Sequence, residues 1–195
     1  MLCQREVLMK TNIAIAGGPC TGKSTLAASL FARLKELGYD FDLVTEEGRK
    51  LKREFGQCRT TFERLYLWRQ QEREELRSAA ADGFVTDAPL FQYYTHARLY
   101  IEAPRDLLAV RELFRMSLEI QDRYHLIVMA GNPLEITYKI DQVRSGDEER
   151  ARKRHHLSRS FVEHFWPERL LLVRGNVATR TKQVLKQLRV MKVIE

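Results

Sequence analysis

The sequence predicts an α/β fold: a five-stranded parallel sheet covered by helices on both faces. Three observations carry this. Short apolar runs of strand length recur along the chain, and segments with apolar residues at helical spacing separate them. Alternation of this kind implies parallel pairing, because each crossover helix returns the chain to the same edge of the sheet. The third observation is a glycine-rich turn between the first strand and the first helix, Gly17-Gly18-Pro19-Cys20-Thr21-Gly22-Lys23-Ser24-Thr25. It fits the pattern of Gly, four residues, then Gly-Lys-Ser, in the strand–loop–helix context that the pattern requires.

Asn12 to Ala16 is short and apolar enough for a buried first strand. After the turn, Leu26, Leu30, Leu34 and Leu37 fall on one helical face. Gly38 stops that helix. Asp42 to Thr45 reads as the second strand, ending at Glu46-Glu47-Gly48-Arg49, and residues 49–56 as a short polar helix. Thr60 or Thr61 can cap a long helix to about Ala81, with Phe62, Leu65, Tyr66 and Leu76 at helical spacing. Gly83 to Thr86 is a third strand and delivers Asp87. Leu90 to Tyr100 is expected to be helical. Pro104 starts another helix to about Arg123, with Leu107, Val110, Leu113 and Phe114 inward. Tyr124 to Ala130 is the clearest buried strand. A polar stretch from Lys139 to Arg159 follows, then a fifth strand over Arg169 to Val173 and a last helix over Val177 to Arg189.

A hydrophobic content of 44% suffices for a core, and 195 residues fit one domain, 1–195. No apolar run reaches the roughly eighteen residues of a membrane span. Met1 to Lys10 lacks the apolar segment of a secretory signal. Cys3, Cys20 and Cys58 are odd in number and read as reduced thiols, which points to a cytoplasmic compartment. The formal net charge is +7. Such a balance suits a polyanionic partner such as DNA, and equally a site that holds only nucleotide phosphates.

The chemistry of the turn follows from its residues. Glycines let the backbone curl with its N–H groups inward, and the start of the next helix adds positive potential, so the loop cradles phosphate. Lys23 would reach the β- and γ-phosphates of ATP, and Ser24 would place its hydroxyl on Mg²⁺. In parallel sheets of this kind the ligand lies beyond the carboxyl ends of the strands. There Glu46 could take the proton of an attacking hydroxyl, and Arg49 could pair with an acceptor phosphate. Glu46-Glu47 as a solvated helix start is the competing reading. Asp87 suits a Mg²⁺ ligand; it could instead be the base, with Glu46 orienting, or cap a helix before Pro89. Residues 133–160 stand where a mobile lid would be. Arg144 and Arg150 are the candidates to close over the transferring phosphoryl and exclude water. His155, His156 and His164 lack neighbours at metal-ligand spacing and read as surface residues. Phe91, Tyr93, Tyr94 and Tyr100 are core residues or a stacking platform for a base.

Together the phosphate loop, Glu46-x-x-Arg49, Asp87 and the Arg-rich lid resemble the P-loop nucleoside and nucleotide kinases. The likeness is to an AAA-type P-loop kinase domain of the branch that holds nicotinamide riboside kinase-like domains and phage polynucleotide kinase. In the latter an acid three residues before an arginine serves as base and acceptor-phosphate contact. Glu46 and Arg49 match that spacing, with Glu in place of Asp. Ala88-Pro89 departs from the Arg-Ser that nucleoside kinases often carry there. The resemblance implies strand order 2-3-1-4-5, an ATP donor, and a hydroxyl acceptor on a nucleoside, a nucleotide or a nucleotide unit within DNA. Charge and size are also similar to those of phage kinases acting on hydroxymethylated bases in DNA. The alternatives are a regulatory P-loop NTPase acting as a switch, and a DNA-binding module with a vestigial loop.

Overall fold

The computed structural model describes residues 10–48, 60–132, 135 and 147–195. Strands β1 (Ile13–Ala16), β2 (Phe41–Val44), β3 (Gly83–Thr86), β4 (Leu126–Ala130) and β5 (Leu170–Val173) form one sheet. All neighbours are parallel and the order is β2-β3-β1-β4-β5, as expected. The described helices are α1 (Lys23–Glu36), α2 (Thr61–Arg77), α3 (Phe91–Ala97), α4 (Pro104–Glu119), α5 (Glu148–Phe165) and α6 (Val177–Val190).

Alternation along the strands sorts the helices into two layers. Ile13 and Ile15 of β1 pack with Leu26, Leu30 and Leu34 of α1 and with Val184 and Leu188 of α6. Ala14 and Ala16 face the other layer, with Trp68 of α2, Phe91 of α3, Leu113 of α4 and Phe161 of α5. Each large side chain buried this way contributes about 1.5–3 kcal/mol. A slip of one residue in β1 would exchange its faces and mismatch both layers, so register is tightly specified.

Local signals set the helix ends. Gly38 takes φ 82° after α1, and the Tyr39 N–H closes back on the Leu34 carbonyl at 3.0 Å. Thr60 caps α2 reciprocally: its hydroxyl accepts from the Glu63 N–H at 3.1 Å, and the Glu63 carboxylate accepts from the Thr60 N–H at 2.9 Å. Helix α2 ends at Arg77 rather than near Ala81. Beyond it, Asp42 of β2 captures the Ser78 hydroxyl at 2.8 Å and the Ala80 N–H at 3.2 Å, turning the chain into β3. The expected short helix at 49–56 lies outside the described residues.

Two inward faces differ from the sequence reading. On α2 the buried residues are Thr61, Arg64, Leu67, Trp68, Gln71 and Glu75, while Phe62, Tyr66 and Leu76 are exposed. On α4 Leu107 is exposed, and Asp106, Ala109, Val110, Leu113, Met116 and Ser117 are inside. The cause is polar work done by inward residues. Gln71 accepts from the Glu47 N–H at 3.0 Å and donates to the Thr86 hydroxyl at 3.4 Å. Asp106 accepts from the Thr61 hydroxyl at 2.8 Å and from the Glu102 and Ala103 N–H groups. Apolar periodicity alone cannot register a stripe of this kind.

Glu75 is the extreme case. It lies at the amino ends of the strands, away from the loops that follow β1 to β5. It accepts from the Tyr124 hydroxyl at 2.8 Å and from Arg123 at 3.3 Å. Burial nevertheless pushes its carboxyl up to about 8, against the pull of Tyr124 and Arg123. The folded chain therefore holds a proton that the unfolded chain has released above its ordinary value of 4.5. Stability from this group is present below that value and falls as pH rises toward about 8. Glu75→Gln should flatten that slope: the loss of melting temperature between about pH 5 and about pH 8 shrinks relative to the unsubstituted protein, measured by thermal unfolding at both pH values.

Candidate functional site

The loop after β1 occupies the carboxyl edge of the sheet. Gly17 (φ 138°), Cys20 (φ 60°) and Gly22 (φ 80°) give it the left-handed turns that curl a backbone inward. Cys20 is a non-glycine residue in that region, where a side chain is uncommon. The carbonyl of Gly18 accepts from Lys23 Nζ and from the Thr21 hydroxyl, each at 2.9 Å. Ser24 follows in the first turn of α1.

Three elements brace this loop. From α5, His155 Nδ1 accepts from the Gly18 N–H at 3.3 Å. His155 is only 3% exposed. Burial, and then the charge of Lys23, push its imidazole down to about 4. It is neutral near pH 7, with the proton on Nε2 and Nδ1 available as acceptor. The reading of His155 as a surface residue is therefore corrected, whereas His156 is exposed. From α3, Gln92 Nε2 donates to the Gly17 carbonyl at 2.8 Å and to the Ser158 hydroxyl at 3.2 Å. From α6, buried Arg180 donates to the Thr21 carbonyl at 2.7 Å and pairs with Glu135 at 2.9 Å. None of these braces is legible in a motif, because each joins residues far apart in sequence.

The acids stand beside the loop. Strand β3 lies between β2 and β1, so Asp87, immediately after β3, neighbours the loop. Glu46, after β2, stands one strand further out. Asp87 is 4% exposed, and its Oδ1 is buried with no hydrogen-bond partner. Tyr93 of α3 is buried with its hydroxyl likewise unpartnered. Burial raises that phenol, as do the carboxylates of Glu46, Glu75 and Asp87, against the opposing charge of Arg64. Gln71 of α2, bonded to the Glu47 N–H at 3.0 Å and to the Thr86 hydroxyl at 3.4 Å, ties the backbone beside both acids to the helix that carries Arg64. No group of three or more His, Cys, Asp or Glu among the described residues could hold a metal unaided. An oxygen ligand such as Asp87 Oδ1, beside phosphate oxygens and water, fits the preference of Mg²⁺.

The arginines distribute unevenly. Arg49 and Arg144 lie outside the described residues, as does the first part of the expected lid. Arg150 starts α5, pairs with Asp147 at 3.2 Å, and stands 5.4 Å from the centre of the Tyr100 ring. Arg64 and Arg154, which the sequence reading did not single out, stand over the same ring at 4.4 and 5.4 Å. A cation–π contact is worth about 0.5–1 kcal/mol where exposed. A buried donor left without a partner costs about 1–3 kcal/mol. The ring alone does not offset the charges gathered on it. Of the aromatics, Phe91 stacks on Phe161 and Tyr94 packs on Phe114, both as core. Tyr93 is also in the core, with its hydroxyl unpartnered, whereas Tyr100 faces the three arginines.

A family model described as an AAA domain matches residues 12–180. The chain belongs to the AAA-domain family. No curated protein matches it detectably. This AAA domain is similar in structure to NadR in complex with NAD and AMP-PNP, with TM-score 0.70 and 19% identity. That match covers 95% of this chain and 50% of the other, so the chain spans about half the length of NadR. It is also similar to thymidylate kinase from Candida albicans (TM-score 0.62, 15% identity, 95% of this chain and 94% of that one). A third similarity is to deoxyadenosine kinase from M. mycoides (TM-score 0.59, 14% identity, 93% and 100%). The shared architecture is the P-loop kinase fold. No described helix is long and apolar enough to cross a membrane.

In this AAA domain Gly18 is a packing requirement. A Cβ there would stand 2.5 Å from the Ala151 carbonyl oxygen and 2.9 Å from His155 Cβ. Gly18→Ala must push α5 off the loop. The expected cost is about 1–3 kcal/mol of stability, read as a lower urea midpoint, with a loss of nucleotide affinity measured by calorimetry.

Proposed function

We propose that the protein is a kinase that transfers the γ-phosphoryl group of ATP to a hydroxyl of a nucleoside, a nucleotide or a nucleotide unit within DNA. The observation that carries this reading is the pairing of a phosphate loop with a buried acid, Asp87, whose Oδ1 has no partner. A loop that merely turned the chain would not need an unsatisfied carboxylate beside it. The solved proteins of like fold add support: NadR was obtained with NAD, AMP-PNP and NR, and the others are named as kinases of thymidylate and deoxyadenosine.

In this reading the amides of Gly17 to Thr25 and the ammonium of Lys23 hold the triphosphate. Lys23 exchanges the Gly18 carbonyl for the β- and γ-phosphates. Ser24 and Asp87 would hold Mg²⁺, which when bound neutralises phosphate oxygens. Glu46 takes the proton of the acceptor hydroxyl, and Arg49 pairs with the acceptor. Should Asp87 be the base instead, Glu46 orients the same hydroxyl. Arg144 and Arg150 belong to the lid that keeps water from the γ-phosphate. Excluding water separates a kinase from an ATPase, because phosphoryl transfer depends on position and charge more than on covalent help. The charge of +7 is compatible with DNA as the carrier of the acceptor. A modified base in phage DNA therefore belongs in the acceptor screen.

Labelled ATP offered with nucleosides, monophosphates, 5′-hydroxyl oligonucleotides and modified-base DNA tests the reading. Label should move to an acceptor; release of free phosphate alone, with every acceptor, overturns the kinase in favour of an NTPase switch. Lys23→Ala should abolish ATP binding. Glu46→Gln should keep ATP binding and lower turnover by about 10²–10⁴-fold. Full turnover in that variant would exclude Glu46 as the base.

A further inference from the structure

Deepening that reading, and resting on it, we propose that Arg64 and Arg154, with Arg150 at their rim, receive a phosphate group carried by the acceptor, so that the acceptor is a nucleoside monophosphate rather than a neutral nucleoside.

The cluster is assembled from separate elements: Arg64 from α2, Tyr100 from the turn after α3, and Arg150 and Arg154 from α5. Arg64 is 7% exposed, and the Nε atoms of Arg64 and Arg154 are both buried without a hydrogen-bond partner. Neither arginine has a carboxylate within ion-pair distance among the described residues. Most other described arginines do: Arg33 with Glu36, Arg69 with Glu72, Arg115 with Glu112, Arg159 with Glu163, Arg169 with Asp122 and Arg180 with Glu135. Arg154 donates one bond, to the Tyr100 hydroxyl. Burial lowers the Arg154 guanidinium, and Arg64 and Arg150 lower it further, against the help of Tyr100. Like charges held together and partly dehydrated are costly unless an anion completes them. Planar guanidinium forks match the oxygens of a phosphate.

A phosphate could come from the donor or from the acceptor, and placement favours the acceptor. Arg64 and Gln71 share the buried face of α2, and Gln71 accepts from the Glu47 N–H at 3.0 Å and donates to the Thr86 hydroxyl at 3.4 Å, next to both acids. The strongest charges on Arg154 are those of Tyr100, Arg64 and Arg150. Lys23, the donor-side cation, acts instead on His155. A monophosphate seated on the arginines would thus extend its nucleoside toward the two acids.

The test is equilibrium binding to the full chain, with the phosphate loop filled by a non-hydrolysable ATP analogue. A nucleoside monophosphate should bind at least about 100-fold more tightly than its nucleoside, the yield of two charge-assisted hydrogen bonds. Arg64→Gln and Arg154→Gln should each reduce that preference at least about 10-fold, with the affinity for the ATP analogue unchanged. Arg64→Lys, which keeps the charge and loses the fork, covers the case in which Arg64→Gln fails to fold, and should fall between. Weakened binding of the ATP analogue with unchanged acceptor preference would assign the cluster to the donor and overturn the proposal. No change in either affinity would reduce it to packing and overturn it equally. Arginine-dependent binding of the monophosphate without transfer to any acceptor would uphold the anion site while overturning the kinase reading.

Discussion

The neutral imidazole of His155 under the phosphate loop is the contact on which the placement of that loop depends. Its Nδ1 accepts the Gly18 N–H. It can do so only unprotonated, and burial beside Lys23 keeps it so. The same contact requires glycine at position 18, because Ala151 and His155 leave no room for a side chain. It also fixes α5 relative to the loop. Arg154 adjoins His155, and Arg150 lies one turn earlier, so their placement over Tyr100 follows from where the helix is clamped.

From this clamp the site divides by charge. The carboxylates arrive from the sheet, Glu46 beyond β2 and Asp87 beyond β3. The guanidiniums arrive from the helices that cover one face, Arg64 from α2 and the pair from α5. Tyr100 stands among the guanidiniums, with Arg64, Arg150 and Arg154 over its ring. The partition has an origin in topology: strand ends present few residues each, whereas helix starts lying across the edge present several on one face.

Much of the architecture was legible in the chain. The run from Ile13 to Ala16, the glycine turn and the leucines of α1 identify a βα unit without help, and Thr60 with Glu63 marks the start of α2. The faces of α2 and α4 were not legible. Their inward residues include Arg64, Gln71, Glu75 and Asp106, which hydrogen bonding or packing retains inside. A hydrophobicity pattern counts these as solvent-facing. Phe62, Tyr66 and Leu107 were misled by the same pattern in the other direction. His155 was missed for a related reason: its partner Gly18 is distant in sequence, and only the fold brings the two together.

By itself, then, the sequence determined the local chemistry: where strands and helices begin, that a phosphate loop joins the first pair, and which acids follow the second and third strands. Those features depend on residues within a few positions of one another, so spacing is enough. Which acid neighbours the loop follows from the strand order, with β3 between β2 and β1, which the family resemblance implied and no local spacing encodes. Tertiary structure alone decided that a histidine braces the loop and that three arginines share one tyrosine. Contacts of that kind arise from packing between elements far apart in the chain, and no local pattern encodes them.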